Sequence, residues 1–439
     1  MTIPANPATA FKVAVSDEAL DRLARRLEDT HLPTEDIVPD AGWEYGTNLT
    51  KLRQLVDDWR RGDPEGGEGK PTSLKGNGVK DWWKHVEGRM NRHPHFLTTI
   101  EGVKVHFQLA RSKDPNAIPL IFSHGWPGSF FEADLILDEL TRTDRPGPSF
   151  HVVVPSLPGY GFSGPPPRKG WQLKDTARLF NSLMVDVLQS PAYMAQGGDW
   201  GYVVTRHLAL YSGCKIYHTN FAPPNIPPYA KPLVTLEKAG WKGIVPKAMS
   251  YLFYDQFEIH GVQRGLEYLT TGSGYFEIQS TKPATVGYGL HDSPVAVLSY
   301  LLEKFQLWSD PRSPAFCKPT DKANNLSGIT DENILINTTL YYLSSTIHTS
   351  FLPYYESTDS VLSLGKDHKL TAPSAHKPYG LSAFPYELAA SPRSWLPRLN
   401  VNVCQYKRHD YGGHFAALDN PQALSADVRE FAANHWPSS

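Results

Sequence analysis

The chain has 439 residues, of which 40% are hydrophobic and 12% aromatic, enough for a sizeable buried core and typical of a large α/β domain with an appendage. A formal net charge of −2, with no basic or acidic tail, argues against nucleic acid or an anionic membrane surface as a partner. The three widely spaced cysteines, Cys214, Cys317 and Cys404, predict neither a disulfide framework nor a metal cluster.

The N-terminus lacks a charged start followed by an apolar run, and no segment reaches the roughly 18 apolar residues needed to span a bilayer. We therefore expect a soluble, cytoplasmic protein without a signal peptide or membrane anchor.

The first hundred residues predict helices and then a hairpin. Ser16 precedes two acidic residues and a leucine stripe, which is typical of a capped helix. Apolar positions at helical spacing recur over residues 52–59 and 82–90, and the stretch 60–79, rich in glycine, proline and charge, predicts a surface loop. Two apolar segments within residues 96–107 flank a Glu-Gly pair, which indicates a hairpin.

From residue 117 onwards, short apolar runs alternate with helical patterns. Residues 118–122 and 152–154 are continuous apolar runs, typical of strands buried on both faces of a parallel sheet. Helical stripes cover residues 130–140 and 175–188. This alternation predicts an open, mostly parallel α/β sheet.

Strand alternation stops after residue 221. Residues 222–350 show helical stripes, aromatics and prolines, and a segment of this length is too long for an ordinary loop. We expect a helical cap inserted into the α/β core, with the core resuming near residues 401–404 and a final helix near residues 424–431.

The turn around Asp199 organises the predicted site. An apolar run ends in two glycines, Asp199 stands at the tip, Gly201 follows, and a helical pattern begins. Glycines on both sides permit a sharp strand-to-helix turn. This is the layout of a nucleophile elbow, with aspartate where the G-x-S-x-G form has serine. The alternative is a βα turn in which Asp199 only caps the next helix.

A histidine and a second acid complete a triad in the order that such folds use. His414 lies between two glycines and a phenylalanine, after the last predicted strand, where α/β sheets place ligands. Glu387 lies 27 positions upstream (414 − 387) and follows an apolar run, so we favour it as the orienting acid. Asp359 and Asp367 are competitors in a polar stretch, and Asp410 is too close to His414 in sequence.

The HGWPGS segment at residues 124–129 follows the first buried strand. A glycine-bearing turn there can aim the backbone N–H of Trp126 at developing negative charge, joined by the N–H of Trp200 after the nucleophile. These two amides form the predicted oxyanion hole.

Four motifs together resemble the α/β-hydrolase-fold epoxide hydrolases, most closely the microsomal-type branch and its soluble fungal relatives. They are HGWPGS (124–129), PGYGFS (158–163), GGDWG (197–201) and GGHFAA (412–417), and SAFPYE (382–387) is similar to that branch's acid motif. The resemblance covers nearly the whole chain, including the N-terminal region. The Gly/Glu-rich stretch near residues 63–78 is an insertion relative to the family pattern.

The resemblance implies an α/β-hydrolase fold with a mostly parallel sheet, an inserted helical cap and an N-terminal extension. The expected division is an N-terminal epoxide hydrolase-type region (1–110), a first core segment (111–221), the cap (222–355) and a second core segment (356–439). It also implies two cap tyrosines that bind the epoxide oxygen. The GYFEIQ motif picks out Tyr275, whereas Tyr354 and Tyr355 both fit the second position, with the spacing favouring Tyr354.

The implied reaction converts a small hydrophobic epoxide and water to a vicinal diol, with no cofactor and no metal. Asp199 attacks a ring carbon and becomes an ester, which water activated by His414 and Glu387 hydrolyses. The resemblance also allows a homodimer. A haloalkane dehalogenase and a catalytically silent ligand-binding protein of the same fold are the alternatives.

Overall fold

The structure is a computed structural model that describes residues 7–63, 78–224, 226–228, 230–252, 254–317, 328–362 and 376–437, with backbone alone at residues 238 and 358–362. Within these ranges the chain forms one nine-stranded sheet and sixteen α-helices. The strands are β1 (Thr9–Phe11), β2 (His95–Ile100), β3 (Val103–Ala110), β4 (Ile118–Ser123), β5 (Phe150–Pro155), β6 (Tyr193–Gly197), β7 (Cys214–Thr219), β8 (Pro378–Ala383) and β9 (Asn402–Arg408).

Eight helices precede α9 in the chain. They are α1 (Asp17–Glu28), α2 (Leu49–Arg61), α3 (Val79–Met90), α4 (Asp134–Thr141), α5 (Leu173–Ser182), α6 (Trp200–Leu208), α7 (Lys231–Lys238) and α8 (Ile244–Tyr251). The others are α9 (Gln256–Glu267), α10 (Gly274–Thr281), α11 (Pro283–Asp292), α12 (Pro294–Trp308), α13 (Asp331–Leu343), α14 (Leu352–Leu362), α15 (Ala416–Asp419) and α16 (Pro421–His435).

The sheet is antiparallel at one edge and parallel through the rest. Its order is β1-β2-β3-β5-β4-β6-β7-β8-β9, with antiparallel pairs from β1 to β5 and parallel pairs from β5 to β9. The register pairs Ser123 at the end of β4 with Gly197 at the end of β6. The turns that follow these strands therefore leave the sheet side by side at its carboxyl edge, where open α/β sheets bind ligands.

The N-terminal predictions are confirmed for the described residues. The Ser16 hydroxyl caps α1 by accepting from the Ala19 N–H at 3.3 Å, and α2, α3 and the β2–β3 hairpin form where the pattern placed them. Most of the predicted loop at 60–79, and of the insertion at 63–78, lies outside the described residues. The helices also contact the inserted helical segment, as in the ion pair between Lys51 Nζ and Asp331 Oδ1 at 2.7 Å.

A helical segment separates β7 from β8, in agreement with the predicted interruption of the sheet. Helices α7 to α14 lie in this part of the chain, and the predicted boundary between residues 355 and 356 falls within α14. The division of the chain into four segments stays a prediction.

The prediction that the core resumes near residues 401–404 was wrong, because β8 forms first, at Pro378–Ala383. Its sequence, PYGLSA, mixes proline, glycine and serine with apolar residues, so it lacks the continuous apolar run that revealed β4 and β5. Burial between β7 and β9 makes this segment a strand despite its weak intrinsic preference.

None of the helices in the described ranges has both the length and the apolar character that a bilayer-spanning helix requires.

Candidate active site

Asp199 stands at the tip of the turn between β6 and α6. Its backbone has φ 51° and ψ −127°, a conformation that residues with side chains seldom adopt. Close packing around the turn requires glycine: a Cβ on Gly201 would lie 1.9 Å from the Ser123 carbonyl oxygen, and one on Gly197 would lie 2.5 Å from the Gly201 carbonyl oxygen. The sequence pattern around Asp199 therefore reflects a steric demand of the sharp turn.

Two groups from different loops hold the Asp199 carboxylate. Its Oδ1 accepts a 2.8 Å hydrogen bond from the Trp126 N–H, and its Oδ2 lies 3.2 Å from His414 Nε2. The second contact is a short charge contact outside hydrogen-bond geometry. A Cβ on Gly125 would lie 2.4 Å from Asp199 Oδ1, so a residue with a side chain there would displace the carboxylate. This carboxylate is thus fixed by contacts from both neighbouring loops.

His414 follows β9 and is almost completely buried. Its Nδ1 lies 2.5 Å from Glu387 Oε1, and its backbone N–H donates to the Trp308 carbonyl at 2.7 Å. Burial alone would lower the pKa of His414, but the carboxylates of Glu387 and Asp199 outweigh it and raise the pKa to about 10. The imidazole is therefore protonated at neutral pH in the unliganded site.

Glu387 lies in the loop after β8, and 2% of its side chain is exposed. Its Oε1 also accepts from the Leu388 N–H at 2.6 Å, so the carboxylate that faces His414 is held from its own loop. Among the competing acids, Asp410 is exposed, whereas Asp367 and the side chain of Asp359 lie outside what the structure describes.

Arg264, on α9, is a site residue that the sequence did not reveal. Its guanidinium donates to the carbonyl oxygens of Glu387 (3.0 Å), Tyr386 (3.2 Å) and Leu307 (2.5 Å). One arginine of the helical segment thereby joins the loop that carries Glu387 to the end of α12, where Trp308 contacts His414. A single arginine within a helical stripe has no distinguishing signal in one sequence.

The turn at residues 124–129 is held from α13. Asn337 Nδ2 donates to the Pro127 carbonyl at 2.6 Å, and the Tyr341 hydroxyl donates to the Gly128 carbonyl at 2.7 Å. The Trp126–Pro127 peptide bond is cis. Since Trp200 is the first residue of α6, its N–H is one of the first-turn amides that have no acceptor within the helix. The two predicted amides therefore flank Asp199.

The structure brings Tyr275 and Tyr354 together and leaves Tyr355 apart. Tyr275 and Tyr354 are 7% and 1% exposed and hydrogen-bond to each other, whereas Tyr355 is 53% exposed. The Tyr275 ring stacks on Trp126 with centroids 5.1 Å apart. Burial raises the pKa of the Tyr275 hydroxyl and that of the Tyr354 hydroxyl well above the usual tyrosine value, and the charge of Asp199 adds to the effect. Both hydroxyls therefore stay protonated and can donate hydrogen bonds.

Tyr268 is a third tyrosine beside this pair; it is partly buried and was not predicted from the sequence. Its hydroxyl lies 3.1 Å from that of Tyr275, and burial raises its pKa to about 12. Within the described ranges, no group of three or more His, Cys, Asp or Glu side chains is arranged to hold a metal ion.

The fold and the turn at Asp199 define an α/β-hydrolase-fold protein. Two family models match the chain: "Epoxide hydrolase N terminus" over residues 8–133 and "alpha/beta hydrolase fold" over residues 118–212. The chain belongs to the epoxide hydrolase family, whose members are hydrolases that act on the ether bond of epoxides.

Its relatives match nearly the whole length of the chain. Epoxide hydrolase 1 of Sus scrofa is 33% identical, covering 96% of this chain and 87% of its own, and juvenile hormone epoxide hydrolase 2 of Ctenocephalides felis is 33% identical, covering 97% and 86%. The solved epoxide hydrolase of Aspergillus niger is 31% identical with a TM-score of 0.76, covering 98% of this chain and 97% of its own. These names favour the epoxide hydrolase prediction over the dehalogenase alternative.

Proposed function

We propose that the protein hydrolyses epoxides to vicinal diols through a covalent ester on Asp199. The observation that carries this proposal is the placement of one carboxylate between the Trp126 N–H at 2.8 Å and His414 Nε2 at 3.2 Å. An epoxide carbon is a strained electrophile that a carboxylate attacks directly, without first losing a proton. The nucleophile, a base and an amide donor are thus brought together at the Asp199 carboxylate.

In the first step, one Asp199 oxygen forms a bond to an epoxide carbon, and the bond from that carbon to the ring oxygen breaks. The hydroxyls of Tyr275 and Tyr354 donate to the departing oxygen, which gains negative charge as the ring opens. Because burial keeps both phenols neutral, they are donors throughout the neutral pH range.

In the second step, His414 removes a proton from water, and the water oxygen attacks Cγ of the Asp199 ester. The N–H groups of Trp126 and Trp200 stabilise the tetrahedral oxyanion. Glu387 orients the imidazole and stabilises its protonated form at 2.5 Å. The ester then collapses as the bond from Cγ to the alkyl oxygen breaks, and the proton on His414 passes to that oxygen to complete the diol. The proton left on the new Asp199 carboxyl group passes to His414, which restores the carboxylate and the protonated imidazole.

The proton balance couples the two steps. In the resting site His414 is protonated, because Glu387 and Asp199 hold its pKa near 10. Ester formation removes the charge of Asp199, so the pKa of His414 falls and the imidazole releases its proton. The ring-opened oxygen takes up one proton in the same half of the cycle. Nucleophilic attack therefore converts His414 into the base that hydrolysis requires.

The side chains around Asp199 favour a small hydrophobic epoxide. Trp126, Tyr275, Trp308 and Tyr354 form a cluster of ring contacts with centroids 5.1–6.1 Å apart. Aromatic walls bind apolar groups and leave the tyrosine hydroxyls as the polar contacts for the epoxide oxygen. Homodimerisation and a cytoplasmic location stay predictions from the sequence.

The test is a single turnover in water enriched in oxygen-18, with enzyme in excess over styrene oxide. We expect the label in the peptide that contains Asp199 and an unlabelled first diol, since the diol takes its new oxygen from the carboxylate. Asp199→Ala should form no diol. Labelled oxygen in the first diol, or turnover by Asp199→Ala, would overturn the proposal.

A further inference from the structure

A small cavity adjoins the triad and contains a second carboxyl group, that of Glu132. Its volume is about 20 Å³, and Asp199, His414 and Glu132 all line it. A site of this size holds one water molecule, which needs at least about 10–15 Å³, provided that polar partners surround it. The cavity is therefore the right size for a single water beside the proposed nucleophile.

Glu132 and Asp199 are held by successive backbone amides. The Gly125 N–H donates to the Glu132 carboxyl, and the next N–H, that of Trp126, donates to Asp199 Oδ1 at 2.8 Å. A Cβ on Gly128 would lie 2.4 Å from Glu132 Oε2, so glycine at this position leaves the space that the carboxyl occupies. The same turn thus places both carboxyl groups.

The environment keeps Glu132 neutral. Burial raises its pKa to about 8, the charge of His414 opposes this shift, and the charge of Asp199 adds to it. At pH 7 the side chain is therefore mainly a carboxylic acid, which can donate one hydrogen bond and accept others. It does not add a second negative charge beside the nucleophile.

Some of the other polar groups that line the cavity already make hydrogen bonds, and others do not. Both ring nitrogens of His124 are engaged, Nδ1 with the Gly125 carbonyl at 3.0 Å and Nε2 with the Leu157 N–H at 3.2 Å. By contrast, Ser123 Oγ and His414 Nε2 are buried and make no hydrogen bond within the described residues, and His414 Nε2 has only its 3.2 Å charge contact with Asp199 Oδ2. Together with Glu132, these atoms supply the two to four partners that a buried water needs.

We propose that this cavity holds the water molecule that hydrolyses the Asp199 ester, and that Glu132 positions it. The inference rests on the proposed covalent mechanism. The water oxygen forms a bond to Asp199 Cγ and one water proton goes to His414 Nε2. The bond between Cγ and the alkyl oxygen then breaks, and that oxygen takes the proton from His414 to leave as the diol. Glu132 contributes hydrogen bonds that orient the water.

A purely structural role makes a different prediction. If Glu132 only supported the turn through Gly125, its removal would disturb the Trp126 amide and the nucleophile together. Alkylation and hydrolysis would then slow in parallel. If Glu132 instead positions the water, its removal slows hydrolysis alone, because alkylation consumes no water.

The experiment compares Glu132→Ala and Glu132→Gln with the wild type and with Asp138→Ala, an exposed acid on the adjacent helix α4. Rapid-quench mass spectrometry with styrene oxide follows the ester and the diol in one turnover. In Glu132→Ala we expect hydrolysis to slow about tenfold or more while alkylation changes less than about threefold, so the ester accumulates. Glu132→Gln, which keeps a donor and an acceptor, should lose less, and Asp138→Ala should change neither rate.

Equal slowing of both steps, or unchanged hydrolysis in Glu132→Ala, would overturn the role of Glu132. Absence of any ester in the wild type would instead overturn the covalent mechanism, so the two failures are distinguishable. If Glu132→Ala does not fold, a high-resolution crystal structure of the wild type decides the question. We expect a water within about 3.2 Å of Glu132 and of His414 Nε2, and an empty cavity would overturn the proposal.

Discussion

The ring of Tyr354 stands edge-on to the indole of Trp200, with centroids 4.7 Å apart and planes at 87°. Trp200 directly follows Asp199, so this contact connects α14 of the helical segment to the turn that carries the proposed nucleophile. The next residue, Tyr355, is 53% exposed, compared with 1% for Tyr354. Adjacent tyrosines on one helix thus face different environments, and of the two only Tyr354 is buried beside the turn at Asp199.

Replacement of Tyr354 by phenylalanine should slow alkylation about 10–100-fold. The variant keeps the ring contact with Trp200 but loses one donor to the departing oxygen, and a hydrogen bond to a charged group contributes about 1.5–3 kcal/mol. Single-turnover ester formation measures this step. Tyr355→Phe is the matched control and should match the wild type. Equal effects in the two variants would contradict the assignment of Tyr354.

Replacement of Glu387 by glutamine should slow hydrolysis of the ester by about 10²–10⁴-fold. The amide retains the shape but removes the charge that stabilises the His414 imidazolium and allows the wrong ring orientation or tautomer. The ester should therefore accumulate in a rapid-quench experiment. Asp410→Asn removes the exposed acid near His414 in sequence and should leave both steps unchanged. Loss of hydrolysis in Asp410→Asn alone would identify a different orienting acid.

Gly201→Ala should destabilise the protein by at least about 2 kcal/mol, because its Cβ would lie 1.9 Å from the Ser123 carbonyl oxygen and force α6 away from β4. Gly289→Ala in α11 is the control, since its Cβ has nothing within 4 Å. Alanine there should stabilise the helix by about 0.5–1 kcal/mol. Urea unfolding measures both changes. Wild-type stability of Gly201→Ala would contradict the close packing of the nucleophile turn.

The stabilising contribution of His414 should decline as pH rises. Its pKa is raised from 6.5 to about 10 in the folded state, so the contribution is complete below pH 6.5 and is lost as pH rises through about 10. Between these limits only the folded protein binds the proton. The difference in free energy of unfolding between wild type and His414→Gln should therefore fall by about 1.4 kcal/mol per pH unit. Urea unfolding at pH 7, 8 and 9 measures it, and a constant difference would contradict the raised pKa.

Sequence patterns predicted most of the fold, and the exception has a physical reason. Strands β4 and β5 contain the continuous apolar runs 118–122 and 152–154, a pattern expected of strands buried on both faces of a parallel sheet and visible locally. β8 has the sequence PYGLSA, and its pairing with β7 and β9 decides its conformation. A strand whose conformation depends on pairing with its neighbouring strands carries little strand signal in its own sequence.

The sequence by itself determined the turn at Asp199, because the steric demands of a tight strand-to-helix turn act on adjacent residues and require glycine at fixed offsets. It also placed His414 after a predicted strand and Glu387 after an apolar run. Only the tertiary structure buried Tyr354 and exposed Tyr355, brought Arg264 to the Glu387 loop, and placed the Glu132 carboxyl where desolvation raises its pKa. These outcomes depend on burial and on contacts between distant segments, and a linear pattern of residue types does not encode the local dielectric or the orientation of a side chain.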